Sequence, residues 1–336
     1  VKKAVLKDNC PGGRVEAGLP STSDGSLLFL QHMIAKMDDQ TGSRIGIVLN
    51  GSPLFNGDAG NGWSNIRKML LDRNLLDAIV ALPKNLFYGT DITTYLWILD
   101  NKRPAEKYHK ALFIDAAHTK EFTNLLQKNL GKKRYEISDD GAKEIFDIYK
   151  EYQSYSRDIE YEKTGEQEHL EIAKLLDYDD FFYTNVAVRR PLRLWFENIS
   201  VKYDALCESE DFKAEDKKNI ILRDIVQLEG SNEKRDDHDF FVWLKVQKVK
   251  TTKAQQKLIR DAFGEINEDA PIAYMDPFKD SGEWVIDTNL NDTEKIPMKQ
   301  DIEEYFETEV LPFAPDAWMD RSKDKVGCEF PFTRLF

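Results

Sequence analysis

The segment SRIGIVLNGSPLFNGDAGNGWSNIRKMLLDRNLLDAIVALP, residues 43–83, contains two short apolar runs separated by a polar loop and an amphipathic stretch. The runs SRIGIVL (43–49) and LDAIVALP (76–83) have the length of strands, and continuous apolar runs of that length are typical of strands covered on both faces. SNIRKMLLDRNL (64–75) has the apolar spacing of an amphipathic helix. This order of strand, loop, helix and strand predicts an α/β sheet.

Neighbouring segments continue the same pattern. DGSLLFLQHMIAKM (24–37) has nearly helical apolar spacing, whereas ITTYLWILDN (92–101) and KALFIDA (110–116) are apolar runs of strand length. We expect Ser64 or Asn65 to cap the helix that precedes the second strand of the opening segment. Helices and strands therefore alternate along the first third of the chain.

The loop of residues 50–62 follows the first strand directly and is rich in glycine and asparagine. In open α/β sheets ligands bind at the carboxyl ends of strands, and small residues let a ligand approach the backbone closely. The glycines do not have the spacing G-x-G-x-x-G, no Gly-Lys-Ser/Thr follows, and no G-x-S-x-G motif occurs. A ligand site without a dinucleotide or phosphate loop is predicted here; a flexible surface connection is the alternative.

Composition narrows the class of protein. The chain has 336 residues, of which 41% are hydrophobic, and no run of about 18 apolar residues or signal-peptide core occurs. Its three cysteines are far apart without a C-x-x-C pair, which argues against disulfides and a thiolate zinc site and favours a reducing, cytoplasmic compartment. The five histidines never have i, i+4 spacing, so no metal site is predicted.

Charge is distributed unevenly along the chain. Residues 1–115 contain 14 Lys and Arg and 12 Asp and Glu, a net charge of +2. The remaining 33 basic and 48 acidic residues give residues 116–336 a net charge of −15. The densest charged run, residues 137–180, is predicted to form helices with solvated faces, and an acidic surface for a basic protein partner is the alternative.

Several long segments resemble the modification (M) subunit of type I restriction-modification systems. AGLPSTSDGSLLFLQHMIAKM (17–37) and the stretch from Ser43 to Arg103 carry the resemblance, which is dense over residues 17–116. VAVRRPLRLWF (186–196) and YFETEVLPFAPDAWMDRSKDKVGCEFPFTRLF (305–336) are similar to the family's carboxyl-terminal portion. These subunits are N6-adenine DNA methyltransferases that use S-adenosyl-L-methionine. The resemblance implies double-stranded DNA, a DNA-specificity subunit, a second modification subunit and a restriction subunit as partners, and a nucleoid-associated location in a bacterium or archaeon.

The family's catalytic signature, Asn-Pro-Pro followed by an aromatic residue, is not present in this sequence, and neither is its glycine-rich cofactor loop. In the family both lie upstream of a segment like residues 1–25. The resemblance therefore implies that the chain is a carboxyl-terminal portion without catalytic residues of that signature. We expect such a chain to be inactive alone and to bind the cofactor weakly or not at all.

Within the resemblance, two loops are expected to form the remaining wall of the pocket for the target base. They are residues 50–62 and residues 86–94, expected at opposite ends or flanks of buried strands. Their polar groups suit phosphate contacts. The predicted wall consists of Asn50, Ser52, Asn56, Phe87, Tyr88 and Thr94, and the predicted cofactor contacts are Asp24 and Phe29.

Other aromatic and basic residues admit two interpretations. Tyr95 and Trp97 lie on one face of a predicted strand, where they belong to the core or form a stacking platform for an extruded base. Phe29 packs near the cofactor or is plain core. Arg189, Arg190 and Arg193 contact phosphates, or face water from an edge strand that contains Pro191.

The predicted fold is α/β, a partial Rossmann-like methyltransferase sheet with an α+β carboxyl-terminal extension. The predicted domains are residues 1–116 as the carboxyl-terminal half of the catalytic domain, 117–175 as an acidic helical connector, and 176–336 as the extension for subunit assembly. The alternative function is a non-catalytic protein-interaction or DNA-binding module. A dehydrogenase or nucleotidyl transferase would need a phosphate-binding glycine loop of its own.

Overall fold

The computed structural model describes residues 2–160, 167–279 and 281–336. Its internal contacts divide the chain into two compact units. The first unit comprises Val1–Asn185, Lys295–Ile302 and Asp324–Phe336, and the second comprises Val186–Glu294 and Glu303–Lys323. Three strands contain residues of both units, namely β9 (Phe182–Arg189), β13 (Asp292–Pro297) and β14 (Trp318–Cys328).

The first unit contains one large mixed sheet, a separate β-hairpin and several helices. Its strands are β1 (Arg44–Leu49), β2 (Leu76–Leu82), β3 (Thr94–Asp100), β4 (Lys110–Asp115), β5 (Thr123–Leu130), β6 (Lys133–Ile137), β7 (Tyr155–Glu160) and β8 (Gln167–Asp177). Its helices are α1 (Lys2–Lys7), α2 (Ser26–Ile34), α3 (Ser52–Phe55), α4 (Gly62–Asp72), α5 (Thr119–Phe122), α6 (Asp139–Glu151) and α12 (Phe332–Leu335). The strands predicted over 43–49, 76–83, 92–101 and 110–116 are confirmed as β1 to β4, and the helices over 24–37 and 64–75 as α2 and α4.

The large sheet has the order β1-β3-β2-β4-β8-β7. Strand β3 lies between β1 and β2 and runs antiparallel to both, whereas β2 and β4 are parallel. Leu49 therefore pairs with Tyr95, at the start of β3, and Leu82 pairs with Thr94. As a result, the carboxyl ends of β1, β2 and β4 lie beside the amino end of β3. We call this side of the sheet, where these strands end, the site edge. The predicted α/β class with a Rossmann-like sheet is confirmed.

Burial differs between the central and the outer strands. Every residue of β2 is buried, as its continuous apolar run predicted. The same prediction for β1 is wrong, because β1 is the outermost strand and only the face of Ile45 and Leu49 is buried. Val48, on the other face, is 42% exposed. A short apolar run therefore did not distinguish a central strand from an outer one.

Helix α4 begins earlier than expected. Its N-cap is Asn61, whose side chain accepts a hydrogen bond from the amide of Ser64, so the prediction of Ser64 or Asn65 as the cap is wrong. A Cβ at Gly62, the first helical residue, would lie 1.9 Å from the carbonyl oxygen of Leu19, so only glycine fits there. Ser64 is buried instead, and its Oγ accepts a hydrogen bond from the amide of Cys328 at 2.8 Å.

Residues 117–175 are mostly strands, so the predicted helical connector is wrong in its secondary structure. Only α5 and α6 are helical, and residues 161–166 of the connector lie outside the described residues. Strand β8 alternates, with Leu170 and Ile172 buried, and it pairs with β4 along the large sheet. A strand with one buried face can carry many charges on its other face. Such a strand is as rich in charge as a solvated helix, and for this reason the charged run beyond α6 was wrongly predicted to be helical.

The second unit has a mixed α+β structure, as predicted for the carboxyl-terminal extension. Its core includes the stacked rings of Phe196 and Phe240, 4.1 Å apart, and Arg260 donates two hydrogen bonds of 2.7 Å to the buried carboxylate of Asp237. Its elements are β10 (Leu194–Phe196), β11 (Arg235–Asp236), β12 (Gly264–Ile266), α7 (Ile199–Cys207), α8 (Ile220–Val226), α9 (Asp237–Val246), α10 (Lys253–Phe263) and α11 (Ile302–Tyr305), followed by a π-helical turn (Phe306–Val310). The first residue of α11, Ile302, belongs to the first unit.

No helix among the described residues is long and apolar enough to span a membrane. Across residues 2–160, 167–279 and 281–336, no group of three or more His, Cys, Asp or Glu side chains is arranged to hold a metal ion.

Candidate functional site

Three loops of the first unit converge at the site edge. They are residues 50–61 after β1, residues 83–93 between β2 and β3, and residues 116–118 after β4. The sequence suggested that the first two lie at opposite ends or flanks of strands, and this is wrong, because the antiparallel insertion of β3 returns the chain to the edge where β1 ends. The two loops of the predicted wall therefore lie at the same edge of the sheet.

Two predicted residues from different segments, Asp24 and Asn50, meet at this edge. The Nδ2 of Asn50 lies 3.5 Å from Oδ2 of Asp24, at the outer limit of a hydrogen bond. The other carboxylate oxygen of Asp24 accepts hydrogen bonds from the amide of Ser26, at 2.9 Å, and from its hydroxyl. Partial burial opposes ionisation of Asp24, but these donors outweigh it and hold the pKa of its carboxyl group below the ordinary value. Asp24 is therefore an ionised group held at the start of α2.

Asn50 also orders the loop that follows β1. Its Oδ1 accepts a hydrogen bond of 3.0 Å from the amide of Ser52, which begins the short helix α3. Asn56 follows α3 as its C-cap residue, and its side chain is exposed. The predicted residues Asn50, Ser52 and Asn56 thus belong to one compact turn at the site edge.

Arg67 holds this turn in place from the interior of the first unit, and the sequence interpretation did not include this residue. The side chain is fully buried, and its Nη1 donates to the carbonyl oxygens of Pro53, at 3.0 Å, and Asn56, at 2.9 Å. Its Nε donates to the carbonyl oxygen of Cys328 at 2.7 Å. Burial lowers the pKa of the guanidinium. Arg67 therefore joins the turn to the carboxyl-terminal segment.

A signal for Arg67 was present in the sequence. Trp63, Ile66 and Leu70 form the buried face of α4, and Arg67 lies on that face, at i+4 from Trp63 and next to Ile66. A charged residue on the apolar face of an amphipathic helix is rarely left without partners, so its position indicated a buried network.

Phe87 and Tyr88 are exposed in the second loop, to 38% and 73%. Phe87 forms an isolated bridge with Thr90, which closes a tight turn at the tip of the loop. The carbonyl oxygen of Tyr88 accepts a hydrogen bond of 3.0 Å from the amide of Lys132, in the β5–β6 hairpin. Both rings are therefore accessible, and their backbone is held in place.

Thr94, Tyr95 and Trp97 lie on the strand between these loops and are buried. The Oγ1 of Thr94 and the Nε1 of Trp97 have no hydrogen-bond partner in the described part of the chain. Trp97 packs 5.3 Å from the ring of Phe330, in the core, so the alternative of a stacking platform is wrong for this residue. Thr94 is the predicted wall residue that the structure places beneath the surface.

Asp115 and His118 add a titratable pair at the end of β4 that the sequence interpretation did not include. The Nε2 of His118 lies 3.4 Å from Oδ2 of Asp115, whose other oxygen accepts a hydrogen bond from the amide of Ala117 at 3.0 Å. Burial and the charge of Asp115 raise the pKa of Tyr95.

Phe29, the second predicted cofactor contact, is 70% exposed, so the alternative that it is plain core is wrong. It lines a mainly apolar cleft of about 330 Å³ with Val5, Val15 and Leu28. An exposed aromatic ring in an apolar cleft suits the flat face of an adenine ring.

The three arginines of the second unit are neither free for phosphates nor directed only to water. Arg190 donates through Nε to Asp316 at 2.8 Å, and the Nε of Arg193 lies 3.3 Å from the other oxygen of the same carboxylate. The Nε of Arg189 lies 3.9 Å from Asp320. Despite partial burial, the two arginines hold the pKa of Asp316 below its ordinary value. Both interpretations of these residues from the sequence are therefore wrong.

Comparison with known families gives one match to a family model. The model for N-6 DNA methylases matches residues 6–180, which is more than half of the chain. This range contains the whole site edge.

Individual proteins match shorter parts. The MjaVIII methylase subunit, a type I restriction enzyme subunit of Methanocaldococcus jannaschii, is 33% identical over 112 residues, which are 33% of this chain and 18% of that protein. The MjaVII methylase subunit of the same organism is 27% identical over 164 residues, which are 47% of this chain and 27% of that protein. The matched parts thus span only 18% and 27% of the length of these two relatives.

Among solved structures, the methyltransferase subunit of a type I restriction-modification system from Streptococcus thermophilus is 26% identical, with a TM-score of 0.38. The match covers 48% of this chain and 28% of that chain.

Proposed function

The chain belongs to the N-6 DNA methylase family, and from this premise we propose that it forms part of a modification subunit that transfers a methyl group to N6 of adenine in DNA. The methyl donor is S-adenosyl-L-methionine, and the subunit acts within a restriction-modification complex. In this proposal the chain supplies one wall of the site for the target base. Its compartment is the cytoplasm.

The observation that carries the proposal is the convergence of two loops at the site edge. The turn of residues 50–56 follows β1, and the loop with Phe87 and Tyr88 begins where β2 ends. The residues predicted to form the wall therefore share one edge of the sheet, except that the side chain of Thr94 is buried. In α/β sheets such an edge is where ligands bind.

The chemistry requires an adenine that has left the duplex. N6 is a weak nucleophile inside a base pair, so an enzyme of this kind extrudes the base, stacks it on apolar or aromatic side chains and hydrogen-bonds its Watson–Crick edge. Phe87 and Tyr88 offer exposed rings for stacking. Ser52 and Asn56 belong to the ordered turn at the same edge and offer polar groups to the sugar and phosphate.

Asp24 and Phe29 would contact the cofactor in this arrangement. Phe29 offers its exposed ring to the adenine, and Asp24 offers an ionised oxygen that Asn50 engages only at 3.5 Å. When bound, the cofactor supplies the electrophilic methyl group. The role of this chain is to orient the bases and to keep water from one side of the site.

For the second unit we propose contacts with protein partners. The second unit, residues 186–294 and 303–323, contains 19 Lys and Arg and 29 Asp and Glu, a net charge of −10, and such a charge repels the phosphates of DNA. Arg190 and Arg193 are engaged by Asp316 and do not form a free basic patch. The DNA-specificity subunit, a second modification subunit and the restriction subunit are the proposed partners.

The test replaces the exposed aromatic side chains in the complete methylase complex. Phe87→Ala and Tyr88→Ala, separately and together, should lower incorporation of labelled methyl groups into unmethylated genomic DNA, with little change in melting temperature. Tyr108→Ala is the matched control, since Tyr108 is 47% exposed in the loop from β3 to β4, at the opposite edge of the sheet.

Two outcomes would contradict the proposal. Unchanged turnover together with a lower melting temperature would make Phe87 and Tyr88 structural residues and would remove the wall. No methyl transfer by the complete wild-type complex would favour the alternative, a non-catalytic interaction or DNA-binding module.

A further inference from the structure

The hairpin formed by β5 and β6 ends in a tip of strongly basic sequence. Residues 128–134, KNLGKKR, contain Lys128, Lys132, Lys133 and Arg134 and no acidic residue. We call these seven residues the basic tip. It lies within the part of the chain whose net charge is −15, so it is a local exception to its surroundings.

Backbone hydrogen bonds anchor the basic tip to the loop that carries Phe87 and Tyr88. The amide of Lys132 donates to the carbonyl oxygen of Tyr88 at 3.0 Å, and the amide of Arg134 donates to that of Asn85 at 2.8 Å. The side chain of Asn85 returns a hydrogen bond of 3.1 Å to the carbonyl oxygen of Lys132. The tip therefore has a fixed position beside the exposed aromatic residues.

Gly131 makes this close contact possible. Its φ is +60°, in the left-handed region, and a Cβ there would lie 2.8 Å from both the carbonyl oxygen and the ring of Tyr88. The turn of the hairpin thus packs directly on Tyr88. No other residue type fits this position without displacing one of the two segments.

Three of the four basic side chains are available to a ligand. Lys132 is paired with Asp91, its Nζ 3.1 Å from the carboxylate. Lys128, Lys133 and Arg134 form no ion pair with any residue that the structure describes, and Lys128 and Arg134 are exposed. Positive side chains without partners, on a rigid turn, are the groups that bind phosphate oxygens.

We propose that the basic tip binds the phosphate backbone of the DNA duplex beside the target nucleotide, through the exposed side chains of Lys128 and Arg134. This inference rests on the proposed function, since it places the duplex against the Phe87–Tyr88 loop. The contacts would be independent of sequence, because lysine and arginine side chains that reach phosphates carry no base information. They would hold the backbone in position while the base is extruded.

The experiment measures DNA affinity of the complete methylase complex as a function of salt. A fluorescently labelled mixed-sequence duplex is titrated with the wild-type complex and with the double variant Lys128→Gln/Arg134→Gln. Each lost phosphate contact lowers the slope of log association constant against log salt by about 0.9, so the double variant should lose close to two units of slope. Its affinity should fall at low salt most of all.

Two further variants make the result specific. Lys143→Gln/Lys150→Gln removes the same charge from exposed positions of α6 and should keep the wild-type slope. Lys128→Arg/Arg134→Lys keeps the charge of the tip and should retain most of the affinity. Melting temperatures and sedimentation of each complex show that folding and assembly are intact.

The proposal is overturned if the Gln variant keeps the wild-type slope, or if it loses a subunit of the complex, in which case the tip binds an acidic protein. These failures differ from failure of the proposed function. Methyl transfer by the wild-type complex with an unchanged slope in the variant would refute only the role of the tip. Loss of slope without any methyl transfer by the wild-type complex would refute only the enzymatic role.

Discussion

Replacing Arg67 by methionine should loosen the turn of residues 50–56 from the rest of the first unit. The guanidinium donates to the carbonyl oxygens of Pro53 and Asn56 in the turn and to that of Cys328. Methionine fills a similar volume but donates no hydrogen bond. Three carbonyl groups, of which those of Pro53 and Cys328 are in buried contacts, would lose this donor at once.

The size of the effect follows from these contacts. A hydrogen bond with a charged donor contributes about 1.5–3 kcal/mol, and three of them are lost. Part of this loss is offset, because methionine does not carry the cost of burying a charge, which already lowers the pKa of Arg67. We expect the free energy of unfolding of the first unit to fall by about 3–5 kcal/mol.

Amide hydrogen exchange measures this change where it should occur. The amides of Leu54 and Asn56 donate within the turn, to Gly51 and Ser52, and should exchange faster in Arg67→Met. Arg73→Met is the matched control, because Arg73 is exposed at the end of the same helix. Exchange rates and urea midpoints equal to those of Arg73→Met would refute the role assigned to Arg67.

Three other substitutions have expected outcomes. Gly131→Ala should lower the free energy of unfolding by about 1–2 kcal/mol and speed hydrogen exchange of the Lys132 and Arg134 amides, because its φ is +60° and a Cβ would meet Tyr88. Gly60→Ala is the control, since Gly60 also has a positive φ but faces open space, and it should leave exchange of these two amides unchanged. Asn61→Ala should remove the N-cap of α4 and lower the free energy of unfolding by about 1 kcal/mol. An equal loss of stability in Asn65→Ala would mean that the cap is misassigned. The pKa of Asp24 is lowered, so its contribution to stability is present above its unfolded pKa of 3.8 and is lost as the pH falls through the folded value. In urea unfolding at pH values from about 6 to about 3, the free energy of unfolding should therefore fall less steeply with decreasing pH in Asp24→Asn than in the wild type. An equal pH dependence in both proteins would contradict the ionised Asp24–Ser26 contact.

Local sequence predicted the type and position of most elements in the first third of the chain. Strands β1 to β4 and helices α2 and α4 follow from apolar runs and helical spacing, because these patterns record which side chains are buried. The charged segment over 137–180 was misassigned beyond α6. There the charged side chains of β8 obscured the alternation of its buried residues.

The sequence also determined the family, since the order of several long segments carried the resemblance and residues 6–180 match the N-6 DNA methylase model. The sequence identified the two loops of the proposed site, but it could not show that both lie at the site edge. That edge exists because β3 runs antiparallel between β1 and β2, and strand pairing is a contact between residues far apart in the chain.

Only the tertiary structure decided which residues hold those loops. Arg67 joins Pro53 to Cys328, which lies 261 positions after Arg67. The basic tip is docked on Asn85, which precedes Lys132 by 47 positions. Neither contact has a periodic signal in the sequence, because each depends on where two folded segments meet. Local pattern encodes burial, whereas the partners of a buried or docked group are set by the packing of the whole unit.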